Sequence, residues 1–121
     1  MLDELDLRPP AGVRVIDPVG YLDMLALEQS ARLILTDSGG IQKEAYCLAV
    51  PCITLRPETE WIETVETGWN VVVHADRAAI AHAALERSWP SIEPPPVFGD
   101  GHAAERIVGL LETSHDRSEF N

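Results

Sequence analysis

The stretch from residue 33 to 56 constrains the fold most, because it predicts a strand, a turn, a helix and a second strand in immediate succession. An apolar run at 33–35 is followed by the small residues Ser38-Gly39-Gly40. A helical pattern covers 41–48, and a second apolar run covers 52–55. This order is typical of a βαβ unit, whose two strands lie parallel.

The small residues of the turn indicate a site for an anion. We expect Gly39 and Gly40 to allow positive φ and to leave the peptide N–H groups uncovered. Those groups are unpaired donors at the positive end of the helix dipole, where phosphate binds readily. Ser38 is expected to cap the helix or to donate its hydroxyl to the same anion. A glycine pair after a strand is also common in plain tight turns, so both interpretations stand at this point.

Glu44 is the second candidate ligand on this helix. It lies four residues after Gly40, about one turn into the helix, and helical side chains lean back toward the N-terminus. Its carboxylate could therefore reach beyond a bound phosphate to a ribose diol, although a helical glutamate is more often simply solvated. Ile41, Ala45 and Leu48 form the predicted core-facing stripe.

Composition limits the classes of partner. The 121 residues suit about one domain, and 20 acidic against 9 basic residues give a net charge of −11. This charge argues against a nucleic-acid surface and against an anionic membrane, but a pocket of N–H groups can still bind one nucleotide.

We expect Cys47 and Cys52 to be buried small apolar residues, and the sequence predicts no metal site. No signal peptide and no apolar run of ~20 residues is evident, so a cytoplasmic protein is expected.

The rest of the chain predicts two more strands, at 13–17 and 71–73, and three more long helices, at 21–31, 77–87 and 103–111. Residues 90–96 are expected to form a loop. The predicted inward-facing side chains are Leu22, Leu25 and Leu27 on the first helix and Ile80, Ala84 and Leu85 on the helix at 77–87. We divide the chain into a lead-in (1–12), one α/β domain (13–112) and a disordered tail (113–121).

Two segments, LILTDSGGIQKEA and PCITLRPETEWIETVETGWNVVV, resemble the C-terminal domain of the non-hydrolysing UDP-N-acetylglucosamine 2-epimerases. The resemblance resumes at 98–108, which is similar to the closing helix of that family. The motif Thr59-Glu60-Trp61 looks more like that of the branch that acts on UDP-2,3-diacetamido-glucuronic acid. The ordinary branch usually has Thr-Glu-Arg-Pro at this place.

The resemblance implies a Rossmann-like parallel sheet with helices on both faces, the C-terminal half of a glycosyltransferase-B-type architecture. The chain looks truncated, because earlier strands of that domain are missing from it. An edge strand would then be unpaired, which invites dimerisation or aggregation.

The resemblance also assigns ligand contacts. It implies that Ser38, Gly39 and Gly40 contact the pyrophosphate and that Glu44 contacts the ribose. By the same resemblance, Val19 and Met24 are expected to line the pocket of the uracil base. The residues expected to border the sugar are Arg56, Thr59, Glu60 and Trp61.

Two of these assignments have alternatives. Met24 matches an aromatic that packs on uracil, and could cover a base face or be an ordinary core residue. Arg56 ends a strand at the carboxyl edge of the sheet, where it could meet a diphosphate or a sugar carboxylate. It could equally form a surface ion pair with Glu58, Glu60 or Glu63.

The family reaction inverts C2 of the sugar by eliminating UDP across C1–C2 and adding it back. The family's catalytic acids and phosphate-binding lysine come largely from its N-terminal domain, so we assign no catalytic residue here and expect no turnover by the chain alone. UDP or a UDP-amino sugar is the expected ligand, without a cofactor. The expected protein partners are an N-terminal-half chain and a second copy. A non-catalytic nucleotide-binding module and half of a related glycosyltransferase remain as alternatives.

Overall fold

Helices and short strands alternate along the chain in the computed structural model, which describes residues 8–115. The helices are α1 (Tyr21–Ser30), α2 (Gly39–Cys47), α3 (Ile62–Glu66), α4 (Arg77–Leu85) and α5 (Ala103–His115), and the strands are β1 (Ile34–Thr36), β2 (Cys52–Thr54) and β3 (Asn70–Val72). The strands form one parallel sheet in the order β1-β2-β3, with Cys52 paired to both Ile34 and Asn70. The predicted parallel α/β fold is confirmed.

The core is built around β2, which is hydrogen-bonded on both sides and buried along its whole length. Helices α2 and α4 pack against this strand, and α2 also contacts β1. Burial of the apolar side chains around β2 removes their surface from water and stabilises the sheet. The buried apolar residues are Ala45, Tyr46, Val50, Cys52, Ile53, Trp69 and Ala83.

The prediction of a strand at 13–17 is wrong. This segment follows a turn, in which the N–H of Val13 donates to the carbonyl of Pro10 at 3.1 Å, and it then runs as irregular chain. Val15 and Ile16 are 60% and 53% exposed. A strand forms only where a neighbouring strand satisfies its backbone groups, and this segment pairs with none of the three strands. The sheet therefore has three strands and not four.

Several apolar side chains that the helical spacing points inward are in fact exposed. Leu22 is 77% exposed and Leu27 is 49% exposed, whereas the buried residue of α1 is Glu28. Leu85, at the end of α4, is 78% exposed. On α5, the exposed apolar residues are Ile107, Val108, Leu110 and Leu111. Periodicity identifies an apolar stripe, but another element must be present to cover it.

The helix ends follow local rules, and the largest difference from the prediction is at the end of α5. Gly68 has φ of 81° just after α3, a left-handed conformation that favours glycine. Helix α5 continues to His115, four residues beyond its predicted end at 111. The remaining predicted tail, 116–121, and the first seven residues of the lead-in lie outside the described residues. Within 8–115, the helices are too short or too polar to cross a membrane.

The two cysteines have different environments, although both were expected to be buried. Cys47 is exposed at the end of α2, so that expectation is wrong for it. Cys52 is buried in β2, and burial raises the pKa of its thiol to about 11. The Cys52 thiol is therefore kept protonated at neutral pH.

This difference predicts selective alkylation. Because the thiolate is the nucleophile, iodoacetamide at neutral pH should modify Cys47 in the native protein and leave Cys52 unmodified. Mass spectrometry should show one adduct on the native chain and two in urea, and the Cys47→Ser variant should show none before unfolding. A second adduct on the native chain would contradict the burial of Cys52.

Candidate functional site

Residues 38–40, which we call the glycine turn, connect β1 to α2. Ser38 is the N-cap of α2, with extended backbone at φ of −81°, and its Oγ accepts a hydrogen bond from the N–H of Ile41 at 3.5 Å. The Ser38 N–H itself donates to Thr36 Oγ1 at 3.0 Å. Of the two roles expected for Ser38, the free chain shows the cap. Gly39 and Gly40 are the first residues of the helix.

The expectation of positive φ in this turn is wrong, because in the described part of the chain positive φ occurs only elsewhere, at Ala49, at His74 and at four other glycines. The two glycines matter because they lack a side chain. A Cβ at Gly39 would lie 3.5 Å from Trp61 Nε1, and a Cβ at Gly40 would lie 3.8 Å from Ser38 Oγ. Within residues 8–115 the amides of Gly39 and Gly40 have no hydrogen-bond partner. The turn thus presents open donors at a capped helix start, as an anion site requires.

An ion pair stands beside the glycine turn. Arg56 donates to Glu60 through Nη1 at 3.2 Å and through Nη2 at 2.9 Å, and this hydrogen bonding lowers the pKa of Glu60. A Cβ at Gly39 would lie 3.6 Å from Glu60 Oε2 and 3.9 Å from Arg56 Nη1. Of the two interpretations of Arg56, the free chain shows the ion pair. The cation is nevertheless next to the open amides.

Trp61 connects the loop at 57–61 to the glycine turn. Its indole N–H donates to the carbonyl of Gly39 at 2.8 Å. The Lys43 ammonium lies 4.7 Å from the ring centroids of both Trp61 and Phe98, and the Phe98 ring meets the Trp61 ring edge-on. Tyr46 also packs edge-on against Phe98, and its hydroxyl donates to the carbonyl of Pro95. Sequence reasoning missed this cluster, because its members come from distant segments with no shared periodicity.

A network of buried polar side chains supports the loop at 57–61 through a hydrogen bond to Thr59. Thr59 Oγ1 donates to Gln42 Oε1 at 2.6 Å, and Asn70 Nδ2 donates to the same oxygen at 3.4 Å. Asn70 also donates to Thr64 Oγ1 at 3.1 Å and accepts from Thr54 Oγ1 at 2.8 Å. Gln42 and Asn70 are almost completely buried. Gln42 and Tyr46 thus take the buried positions of α2 together with Ala45, while the predicted Ile41 and Leu48 are only half-buried.

Glu44 is half-buried on α2, one turn beyond the glycine turn. Its carboxylate lies against the phenol of Tyr21 and raises the pKa of that phenol. Both residues line a cleft of about 400 Å³ that also contains Gly40 and Lys43. Sequence reasoning missed Tyr21, whose position at the start of α1 gave no sign of this contact.

Val19 and Met24 lie in a different groove. This groove, of about 540 Å³, runs between the segment at 16–19, helix α1 and strand β1. The structure thus gathers the glycine turn, Glu44 and the loop at 57–61 around the start of α2. The two predicted base-pocket residues do not line the cleft that contains Gly40 and Glu44.

The model of one protein family, described as UDP-N-acetylglucosamine 2-epimerase, matches residues 1–112. A UDP-N-acetylglucosamine 2-epimerase of Methanocaldococcus jannaschii is 47% identical over 110 residues, which are 87% of this chain and 29% of the relative. A UDP-2,3-diacetamido-2,3-dideoxy-D-glucuronate 2-epimerase of Pseudomonas aeruginosa is also 47% identical, over 100 residues, which are 82% of this chain and 28% of the relative.

Solved structures agree with the sequence comparison. The crystal structure of the M. jannaschii enzyme in complex with UDP-GlcNAc and UDP superimposes with a TM-score of 0.76 at 44% identity, covering 93% of this chain and 32% of that one. The chain therefore spans less than a third of the length of these relatives. Because the family model matches nearly all of it, the chain belongs to the UDP-N-acetylglucosamine 2-epimerase family.

Proposed function

We propose that this chain is the UDP-binding part of a UDP-N-acetylglucosamine 2-epimerase-like enzyme that inverts C2 of a UDP-amino sugar. The observation that carries the proposal is the pair of unpartnered amides at the capped start of α2. It is supported by the likeness to a relative whose crystal structure contains UDP-GlcNAc and UDP.

The glycine turn would hold the pyrophosphate. The N–H groups of Gly39 and Gly40 and the positive end of the α2 dipole favour negative charge at this place. Elimination of UDP leaves negative charge on the departing diphosphate, and donors already oriented in the free protein stabilise that charge without reorganisation. Arg56 would add a cation by exchanging one of its bonds to Glu60 for a phosphate oxygen.

Glu44 would accept hydrogen bonds from the ribose hydroxyls. In the free chain its carboxylate faces the Tyr21 phenol in a cleft that also contains Gly40. A ribose bound beside the pyrophosphate would therefore replace or join the Tyr21 hydroxyl at that carboxylate. Val19 and Met24 would line the base pocket from their groove beside α1.

Arg56 and the loop at 57–61, through Thr59, Glu60 and Trp61, would border the sugar. Overall identity is the same, 47%, to relatives of both branches and does not separate them. Trp61 supplies a neutral indole where the ordinary branch usually has arginine, and Arg56 lies within the same loop region. The Thr59-Glu60-Trp61 sequence favours UDP-2,3-diacetamido-glucuronic acid as the substrate, and Arg56 would supply the cation for its sugar carboxylate.

Catalysis would need a second polypeptide region. Inversion at C2 requires an acid and a base near that carbon, and we assign neither to this chain. The chain alone should therefore leave UDP-GlcNAc unchanged. Adding a partner that supplies the N-terminal half should restore turnover, and we place this reaction in the cytoplasm. Proton NMR of the anomeric signals would detect an epimer, and turnover by the purified chain alone would contradict this assignment.

UDP binding can be tested directly. In a titration followed by amide NMR, the Gly39 and Gly40 signals should shift saturably with UDP and much less with uridine, which lacks the phosphates. Glu44→Ala should weaken binding by about 1.5–3 kcal/mol, because it removes hydrogen bonds to a charged group. Glu66→Ala is the matched control, since it removes the same charge from an exposed position on α3. Unmoved glycine signals at saturating UDP would refute the proposed function.

A further inference from the structure

Lys43 is the only lysine in the sequence, and its side chain lies between two aromatic rings. Its ammonium is 4.7 Å from the ring centroids of both Trp61 and Phe98. All three side chains are half-buried. The face of an aromatic ring attracts a cation, so the two rings hold the ammonium in one position. We call this arrangement of Lys43, Trp61 and Phe98 the lysine slot.

The positive charge of Lys43 is not paired with a carboxylate in the part of the chain that the structure describes. Arg56, a second cation beside the glycine turn, is by contrast bound to Glu60 through two N–H groups. The chain has 20 acidic residues, yet the lysine slot holds its cation against rings and leaves the charge available to an anion from outside. An ammonium carries three donors, which suit the oxygens of a phosphate group.

The lysine slot lies beside the glycine turn. Lys43 follows Gly40 by three residues and Gly39 by four, so the three residues share one face of α2. Helical side chains lean back toward the N-terminus, which directs Lys43 toward the turn. Trp61, one wall of the slot, donates its indole N–H to the Gly39 carbonyl at 2.8 Å, and Lys43 lines the same cleft as Gly40 and Glu44. The ammonium is therefore within reach of an anion on the open amides.

We propose that Lys43 is a further binding residue of this chain, and that its ammonium binds the β-phosphate of UDP or of a UDP-sugar. This inference rests on the proposed function. The α-phosphate is joined to the ribose, which we assign to Glu44, whereas the β-phosphate is joined to the sugar, which we assign to the side of Trp61. Lys43 packs against Trp61, so the β-phosphate is the nearer of the two. When the bond between C1 and the phosphate oxygen breaks, the ammonium would stabilise the charge left on that phosphate.

A comparison of UDP with UMP, which lacks the β-phosphate, tests this assignment. Lys43→Met keeps an unbranched side chain that can pack on both rings, but it removes the charge. The variant should bind UDP about tenfold more weakly, because a hydrogen bond to a charged group is lost, and should bind UMP unchanged within about twofold. Lys43→Arg, which keeps a cation, should recover most of the affinity for UDP. Isothermal titration measures the affinities, and thermal unfolding shows that each variant is folded.

Arg32→Met is the matched control for the loss of one positive charge. Arg32 is exposed and precedes β1, so it lies at the opposite end of that strand from the glycine turn. Because salt screens charges that are more than about 10 Å apart, this variant should bind UDP within about twofold of the unaltered chain. Equal losses in Arg32→Met and Lys43→Met would indicate only an effect of net charge, and would overturn the proposed contact.

The single lysine also allows the contact to be observed directly. Reductive methylation with isotope-labelled formaldehyde places labelled methyl groups on Lys43 and on the N-terminal amine, and both groups keep their charge. The NMR signal that is absent from Lys43→Arg is that of Lys43. Ring faces shield nearby nuclei, so this signal should lie upfield of that of free dimethyl-lysine. UDP should move it saturably and UMP should not.

Four results would overturn the proposal. Undiminished affinity of Lys43→Met for UDP would leave the lysine a packing role only, and a loss seen with UDP-glucuronic acid but not with UDP would assign it to a sugar carboxylate. An equal loss for UMP would place the ammonium at the α-phosphate. In these three cases, shifts of the Gly39 and Gly40 amides with UDP would still support the proposed function. Failure of the unaltered chain to bind UDP would overturn both proposals.

Discussion

Alanine at Gly40 is expected to lower the affinity for UDP about 100-fold while leaving the fold intact. A helical Cβ tilts toward the N-terminus of its helix, so the added methyl would stand over the amides that face the anion. Losing hydrogen bonds to a charged phosphate costs about 1.5–3 kcal/mol each, which gives a loss of this size. In the free chain the same methyl meets only Ser38 Oγ, at the ordinary contact distance of 3.8 Å.

The control for this prediction is Gly109→Ala, the same chemical change within α5, where a Cβ has no neighbour within 4 Å. Isothermal titration with UDP and thermal unfolding should be measured for both variants. Gly40→Ala should keep the Tm of the unaltered chain, since alanine favours a helix over glycine. Gly109→Ala should bind UDP normally. Full affinity in Gly40→Ala would mean that the anion does not lie on this turn.

The largest expected loss of stability follows from Asn70→Ala, which should lower the free energy of unfolding by about 3 kcal/mol. Asn70 is 1% exposed and hydrogen-bonds to Thr54, Thr64 and Gln42. Removing its amide takes away three buried hydrogen bonds, including that of the Thr54 hydroxyl, and opens a small cavity. Urea unfolding monitored by tryptophan fluorescence measures the change.

Gln29→Ala is the matched control, because Gln29 is an exposed amide on α1 and surface changes of this kind shift stability by less than about 0.5 kcal/mol. The network also supports Thr59, so Asn70→Ala should weaken UDP-sugar binding even at temperatures where it remains folded. A loss of stability below about 1 kcal/mol would indicate that water replaces the amide.

The part of the fold that could be predicted lies within one continuous segment of the sequence. The run from β1 through Ser38 and α2 to β2 needs only local signals: apolar runs, small residues and helical spacing. The Asp76 cap of α4 is equally local, and its carboxylate accepts from the N–H of Ala79 at 2.7 Å. These elements lie within a few residues of their predicted bounds.

The failures concern what each segment meets in space. The run at 13–17 has the composition of a strand but pairs with none of the three strands of the sheet. Leu22 and Leu27 have helical spacing but no cover. Gln42 is buried because Thr59 and Asn70, which lie 17 and 28 residues away, reach it. No local sequence pattern predicts contacts between residues so far apart in the chain. The glycine turn was located correctly, but the expectation of positive φ at its glycines was wrong. The ligand roles of Ser38, Glu44 and Arg56 stay predictions.

The hydrogen bond from Trp61 to the Gly39 carbonyl has a consequence for how substrate preference could evolve. Trp61, which we predict to border the sugar, also supports the turn proposed to hold the leaving group. Replacing Trp61 to accept another sugar would therefore disturb the anchor that all UDP-sugars share. Lys43, held against Trp61 and Phe98, would lose one of its two aromatic faces at the same time. A lineage that changes its sugar at this position should need compensating changes at 39–43 and 98, and these positions should vary together.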